Sequence, residues 1–125
     1  MLNIIAQAAE PIRMFPTKSI PLNLGQVVSL HQEGADIVCF PSDGVRPFGI
    51  IVDLDLAYGM VAVMAETAIL ETTFFEARHY QSGEPLFSNN EGYLTNRRIF
   101  RDSIRLGSVI SAPDERSPYL EFGLI

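Results

Sequence analysis

In the stretch Ser42-Asp43-Gly44-Val45-Arg46-Pro47-Phe48-Gly49-Ile50-Ile51-Val52-Asp53, Asp43-Gly44 separates two apolar, β-branched runs, Ile37 to Phe40 before it and Phe48 to Val52 after it. Asp-Gly readily supplies the positive φ angles of a tight turn, so the chain is expected to fold back here as a hairpin. Pro47 has no backbone donor and belongs at a strand start or an edge. Gly49 carries no side chain to pack, and inside a strand that marks a bulge or a close approach of another backbone. Every other element reads as a strand added around this hairpin.

Moving outward toward the C-terminus, Met60 to Met64 and Thr67 to Phe75 follow a turn at Tyr58-Gly59. Ala, Met, Glu and Leu would also suit a helix over Met60 to Leu70. Alternation through Ile69-Leu70-Glu71-Thr72-Thr73-Phe74 favours strand. Pro85 to Ser88 and Gly92 to Thr95 are very short strands flanking the loop Asn89-Asn90-Glu91. Ile104 to Ile110 and Tyr119 to Ile125 complete the run of strands. Toward the N-terminus, Gln26 to Leu30 and Ala35 to Phe40 flank a turn at residues 31 to 34. Eight or nine short strands at spacings of roughly 8 to 12 residues predict an all-β fold, a small β-barrel or sandwich over residues 25–125. Its expected core includes Val28, Leu30, Val38, Phe40, Ile50, Val52, Leu106, Val109, Leu120 and Phe122.

Residues 1–24 read differently. Pro11, Pro16 and Pro21 interrupt apolar residues, so an extended N-terminal arm is expected there and not a helix. An isolated extended arm cannot bury its own Ile4, Ile5, Ile12, Met14, Phe15 and Ile20. These side chains are the candidate partner-binding residues, to be covered by a sister subunit, another protein or the chain's own barrel. A chain beginning at Gly25 is expected to fold without the arm.

The chain of 125 residues is long enough for one core and too short for two domains. Apolar residues make up 47% of it and charged residues 19%, with a mean hydropathy of +0.17. So few charges leave apolar surface for association, and a homo-oligomer is expected. The formal charge of −6 opposes wrapping a phosphate backbone, so no nucleic-acid partner is expected. Arg97, Arg98, Arg101 and Arg105 nevertheless concentrate four of the nine basic residues in one segment. That patch reads either as a solvated loop or as a contact for an acidic protein surface.

No segment reaches the roughly 18 to 20 apolar residues of a membrane helix, and the N-terminus lacks the basic-then-apolar order of a signal peptide. A soluble protein made in the cytoplasm, with no membrane partner, is expected. The single Cys39 lies in an apolar strand and reads as a buried small hydrophobe. His31 and His79 stand at no metal-ligand spacing from each other or from Cys39. Asp53 and Asp55 share a strand face, but the glycine and distal glutamate of a calcium loop are absent, so polar strand termination is the expected reading. No nucleophile elbow, phosphate loop or dinucleotide fingerprint occurs. The residues therefore point to no enzyme, no cofactor and no metal.

The order of elements resembles bacteriophage capsid decoration, or cement, proteins of the small β-barrel type. The stretches that carry the resemblance are Gly25 to Leu30, Asp43 to Ile50, Gly83 to Phe87 with Gly92 to Thr95, Ile104 to Pro113 and Leu120 to Leu124. The resemblance implies a structural virion protein without catalysis, located on the capsid surface and bound to the major capsid protein. It also implies a homo-oligomer, a trimer in the first instance, that bridges capsomers and often uses an extended terminal arm. Phage tail, neck and collar barrels share similar spacing and stand as an alternative. So does a small-molecule or carbohydrate-binding β-barrel, although the absence of Trp leaves few aromatic platforms for a sugar.

Overall fold

A computed structural model of the chain describes residues 1–17, 20–55 and 57–125. The described residues form β1 (Leu2–Gln7), β2 (Ile12–Met14), β3 (Val27–Glu33), β4 (Asp36–Pro41), β5 (Gly49–Asp55) and β6 (Met60–Met64). They continue as β7 (Ala68–Thr72), β8 (Pro85–Ser88), β9 (Leu94–Thr95), β10 (Gly107–Ser111) and β11 (Leu120–Leu124). All strand pairs within the sheets are antiparallel, in a six-stranded sheet ordered β1-β7-β11-β10-β8-β9 and a five-stranded sheet ordered β2-β6-β5-β3-β4. The protein is all-β and sandwich-like, and the stretch from Met60 to Leu70 is strand on both sides of a short connection.

The strand alternation explains two cores. Val27, Ile50 and Met64 of the five-stranded sheet face the other sheet and pack with Leu70, Leu86, Leu120 and Phe122. The next residues along the same strands, Val28, Ile51 and Val63, point the opposite way and join Cys39 and Val61 in a second cluster. Met14, Leu22 and Leu24 lie against that second cluster. The five-stranded sheet is thus buried on both faces, which accounts for its continuous apolar runs.

Three expectations need correction. Asp43-Gly44 is a turn, with Gly44 at φ +87°, but not a hairpin. Among the strands of its sheet β4 is hydrogen-bonded to β3, and β5 lies on the other side of β3. Residues 42 to 48 therefore step over one strand, a span of about 10 Å. The loop is tied to the strand it crosses: the Ser42 amide donates to the Val27 carbonyl oxygen, and the Ser29 hydroxyl to that of Arg46. The actual hairpin joins β3 to β4 through Gly34-Ala35, with Glu33 opposite Asp36. Residues 31 to 33, expected in a turn, extend β3 instead.

Leu30 is 41% exposed and not a core residue. From Leu30 to Ile37 every residue of the β3–β4 hairpin is exposed, because the hairpin runs on beyond the sheets that cover its base. Phe40 and Val52 are half-buried, whereas Val28, Val38, Ile50, Leu106, Val109, Leu120 and Phe122 are buried as expected.

The third correction concerns the N-terminal arm, whose described strands lie in the chain's own sheets. β1 adds to β7 with Leu2 opposite Thr72, and β2 adds to β6 with Ile12 opposite Val63. Between them the Ala8 amide donates to the Thr67 carbonyl oxygen at 2.9 Å. Beyond β2, Pro16 bridges Cys39 on the outer edge of β4. The Cys39 amide donates to Phe15 and the Thr17 amide to Cys39, at 3.1 and 2.8 Å. Extended chain leaves its donors and acceptors open, and here β1, β2, Ala8, Phe15 and Thr17 find partners on the chain's own strands and loops. The count of strands rises to eleven for this reason.

Candidate functional site

The backbone of the N-terminal segment is anchored, but most of its large side chains are not covered. Ile4, Ile5, Ile12, Phe15 and Ile20 are each between 39% and 55% exposed. Ile4 sits opposite buried Leu70 on the edge strand β1, where it remains partly exposed. Ile5 falls at the register shift between Ile4 and Ala6, a bulge that turns it away from the ladder. Met14, opposite Val61, is half-buried against the second cluster and is a packing residue. Leu2, not among the expected contact residues, is buried in the main core. The candidate residues do not form a single patch: Ile4 and Ile5 lie on the six-stranded sheet, Ile12 on the other, and Phe15 and Ile20 at a groove.

That groove, of about 810 Å³, lies between Phe15, Pro16, Thr17, Ile20 and Pro21, the tip of the β3–β4 hairpin and the turn at Gly59. Phe15, Ile20, Pro21 and Val38 make its apolar wall, and Glu33 and Asp36 stand beside them. It was not legible in the sequence because it needs the parallel bridge between Pro16 and Cys39. The nearest signal was Glu33-Gly34-Ala35-Asp36, in which a two-residue turn brings two carboxylates opposite each other.

The basic segment is ordered and sits elsewhere. The Ser103 hydroxyl donates to the Gly44 carbonyl oxygen at 2.6 Å, and the Ile104 amide donates to Val45 at 2.9 Å. These bonds hold residues 97 to 105 against the Asp43-Gly44 turn. Arg98 lies over the Phe87 ring at 4.9 Å, and Arg105 bonds the Gly107 carbonyl oxygen and the Ser108 hydroxyl. Arg97 and Arg101 are exposed and make no ion pair among the described residues. Phe100 and Ile104 beside them are also exposed, at 46% and 53%. Reading this segment for charge alone missed those two apolar side chains.

The remaining reactive groups are accounted for by structure. Asp55 pairs with Arg13, and Asp53 accepts from the Leu54 amide. Among the described residues no group of three or more His, Cys, Asp or Glu side chains gathers as a metal site would require. His31 packs edge-on against Phe40. Cys39 is fully buried, and desolvation pushes its thiol from 9.0 up to about 11, only partly offset by a backbone hydrogen bond.

The raised thiol value has a consequence for stability at high pH. Between 9.0 and about 11 the unfolded chain has lost the Cys39 proton and the folded chain retains it. Stability from this group is complete below pH 9 and falls as pH rises toward 11, by about 1.4 kcal/mol per unit and on the order of 3 kcal/mol in all. Urea unfolding measured across that window is expected to show the decline, and Cys39→Ala is expected to remove it between pH 9 and 10, whereas above pH 10 the Tyr80 phenol, which burial also pushes up, leaves a decline in both chains. An identical slope in both chains between pH 9 and 10 would contradict the assignment.

Compared with known protein families and with the curated proteins, the chain finds no match in either.

Proposed function

We propose that the protein is a non-catalytic structural protein of a bacteriophage particle, a decoration protein that binds the major capsid protein on the outer surface and bridges capsomers as a homo-oligomer. The observation that carries the reading is the set of exposed apolar side chains on an N-terminal segment whose strands β1 and β2 are already paired within the chain. Ile4, Ile5 and Ile12 keep 39% to 50% of their surface exposed, and a second surface would bury the remainder. Each large apolar side chain fully covered contributes about 1.5 to 3 kcal/mol, so a few such contacts repeated over a shell stabilise it strongly. The all-β sandwich and the glycine-and-strand pattern of the decoration proteins support the same reading.

Mass spectrometry of purified phage particles from the source is the direct test. The chain is expected in stoichiometric amount with the major capsid protein. It is also expected to rebind stripped shells, and Ile4→Ser with Ile5→Ser is expected to weaken that rebinding at least tenfold. Its absence from particles, or unchanged rebinding by the double variant, would overturn the proposal.

A further inference from the structure

We propose that the protein assembles head to tail, with Phe100 and its flanking arginines on one copy seated in the acidic, apolar groove of a second copy. The two surfaces are chemically complementary. The groove offers Phe15, Ile20 and Val38 with Glu33 and Asp36 at its side. The loop offers exposed Phe100 with Arg97 and Arg101, neither of them in an ion pair among the described residues. In a chain of net charge −6, this is where basic residues gather in sequence. The loop is also preorganised: the Ser103 amide donates to the Phe100 carbonyl oxygen at 3.1 Å, and the Phe100 amide to the Ser103 hydroxyl at 3.2 Å. A fixed aromatic knob loses little freedom on docking.

The geometry requires the contact to be between copies. Residues 97 to 105 are bonded to Gly44 and Val45, beside the start of β3, where Ser42 bonds Val27. The groove lies at the far end of the same strand, at Glu33. At about 3.3 Å per residue β3 separates them by roughly 20 Å. A knob at one end and its socket at the other make a heterologous contact, which generates a ring or, if it does not close, a filament. Exposed ion pairs add little affinity by themselves, so Phe100 is the anchor and the arginines set orientation and encounter rate. The contact rests on the reading above for the expectation that copies self-assemble, and not for any binding to a shell.

Charge reversal tests it on the full chain. Arg97→Glu with Arg101→Glu, and separately Glu33→Arg with Asp36→Arg, are each expected to sediment as the 13.9 kDa monomer where the wild type is assembled. Phe100→Ser is expected to do the same. All altered residues are exposed, and an unchanged far-UV circular dichroism spectrum is expected to confirm that each variant is folded. The chain carrying all four charge reversals is expected to assemble again, because knob and socket then match with opposite signs. A wild type that is monomeric at tens of micromolar, a two-residue reversal that assembles normally, or a four-residue reversal that stays monomeric would each overturn the contact. Shell binding by a monomeric wild type would overturn it too, while leaving the capsid role standing.

Discussion

Gly107→Val is expected to abolish the cooperative fold. Gly107 lies in β10, opposite Leu124 of β11 on one side and Leu86 of β8 on the other. A Cβ at this position would overlap the Gly123 carbonyl oxygen and stand 2.9 Å from the carbonyl carbon. Both are backbone atoms, so no side-chain rotation relieves the clash. β11 would have to move, and it carries Leu120, Phe122 and Leu124 into the main core. Overpacking alone costs about 1 to 3 kcal/mol, and breaking ladder bonds in the middle of a sheet adds to that. Against a typical stability of about 5 to 15 kcal/mol the sum is decisive. Even Gly107→Ala is expected to lower the unfolding free energy by about 3 kcal/mol or more. Chemical denaturation checks it, and an alanine variant within about 0.5 kcal/mol of the wild type would refute the close approach.

Removing residues 1–24 is expected to be as damaging, although the proline-rich sequence reads as a detachable arm. Leu2 leaves the main core, and Met14, Leu22 and Leu24 leave the second one, exposing Val28, Ile51 and Val63. At about 1.5 to 3 kcal/mol for each large buried side chain, the loss is comparable to the whole stability of a domain. β7 and β6 each lose their outer neighbour, keeping β11 and β5, and the bridge at Cys39 disappears. Two newly opened edges invite aggregation. The shortened chain is expected to be insoluble or to show no cooperative unfolding transition. Recovery of a soluble β-rich protein with an unchanged midpoint would mean that the N-terminal segment only rests on the fold.

Much of the local structure was legible from residue order. Alternation at Met60 to Met64 and Ala68 to Thr72, the short pair around Asn89-Asn90-Glu91 and the closing strand at Leu120 all stand where the pattern puts them. In the Asn89 loop the reason is visible: its side-chain oxygen accepts from the Glu91 and Tyr93 amides at 2.9 and 3.0 Å. Such signals act within a few residues, and short sequence windows contain them in full.

Strand partners are a different matter. Asp43-Gly44 specifies backbone angles, and it has them, but whether the next strand pairs with the previous one depends on what else competes for that edge. Val27 and Val28 are apolar on both sides of their strand, so β3 is most stable between two neighbours, and the loop crosses it. The N-terminal segment found its partners near residue 70, with the N-terminal amine bonding the Thr73 hydroxyl across 72 positions. The acidic groove and the arginine loop likewise consist of residues whose placement follows from those pairings. Residue order determined by itself that this chain is all-β, where most strands and turns after Gly25 fall and which way their side chains alternate, because those depend on short-range sterics and periodicity. Only the tertiary structure decided which strands meet, that Leu2–Gln7 and Ile12–Met14 add one strand to each sheet and that Leu30 and Phe100 face outward, because long-range pairing is settled by burial summed over the whole fold.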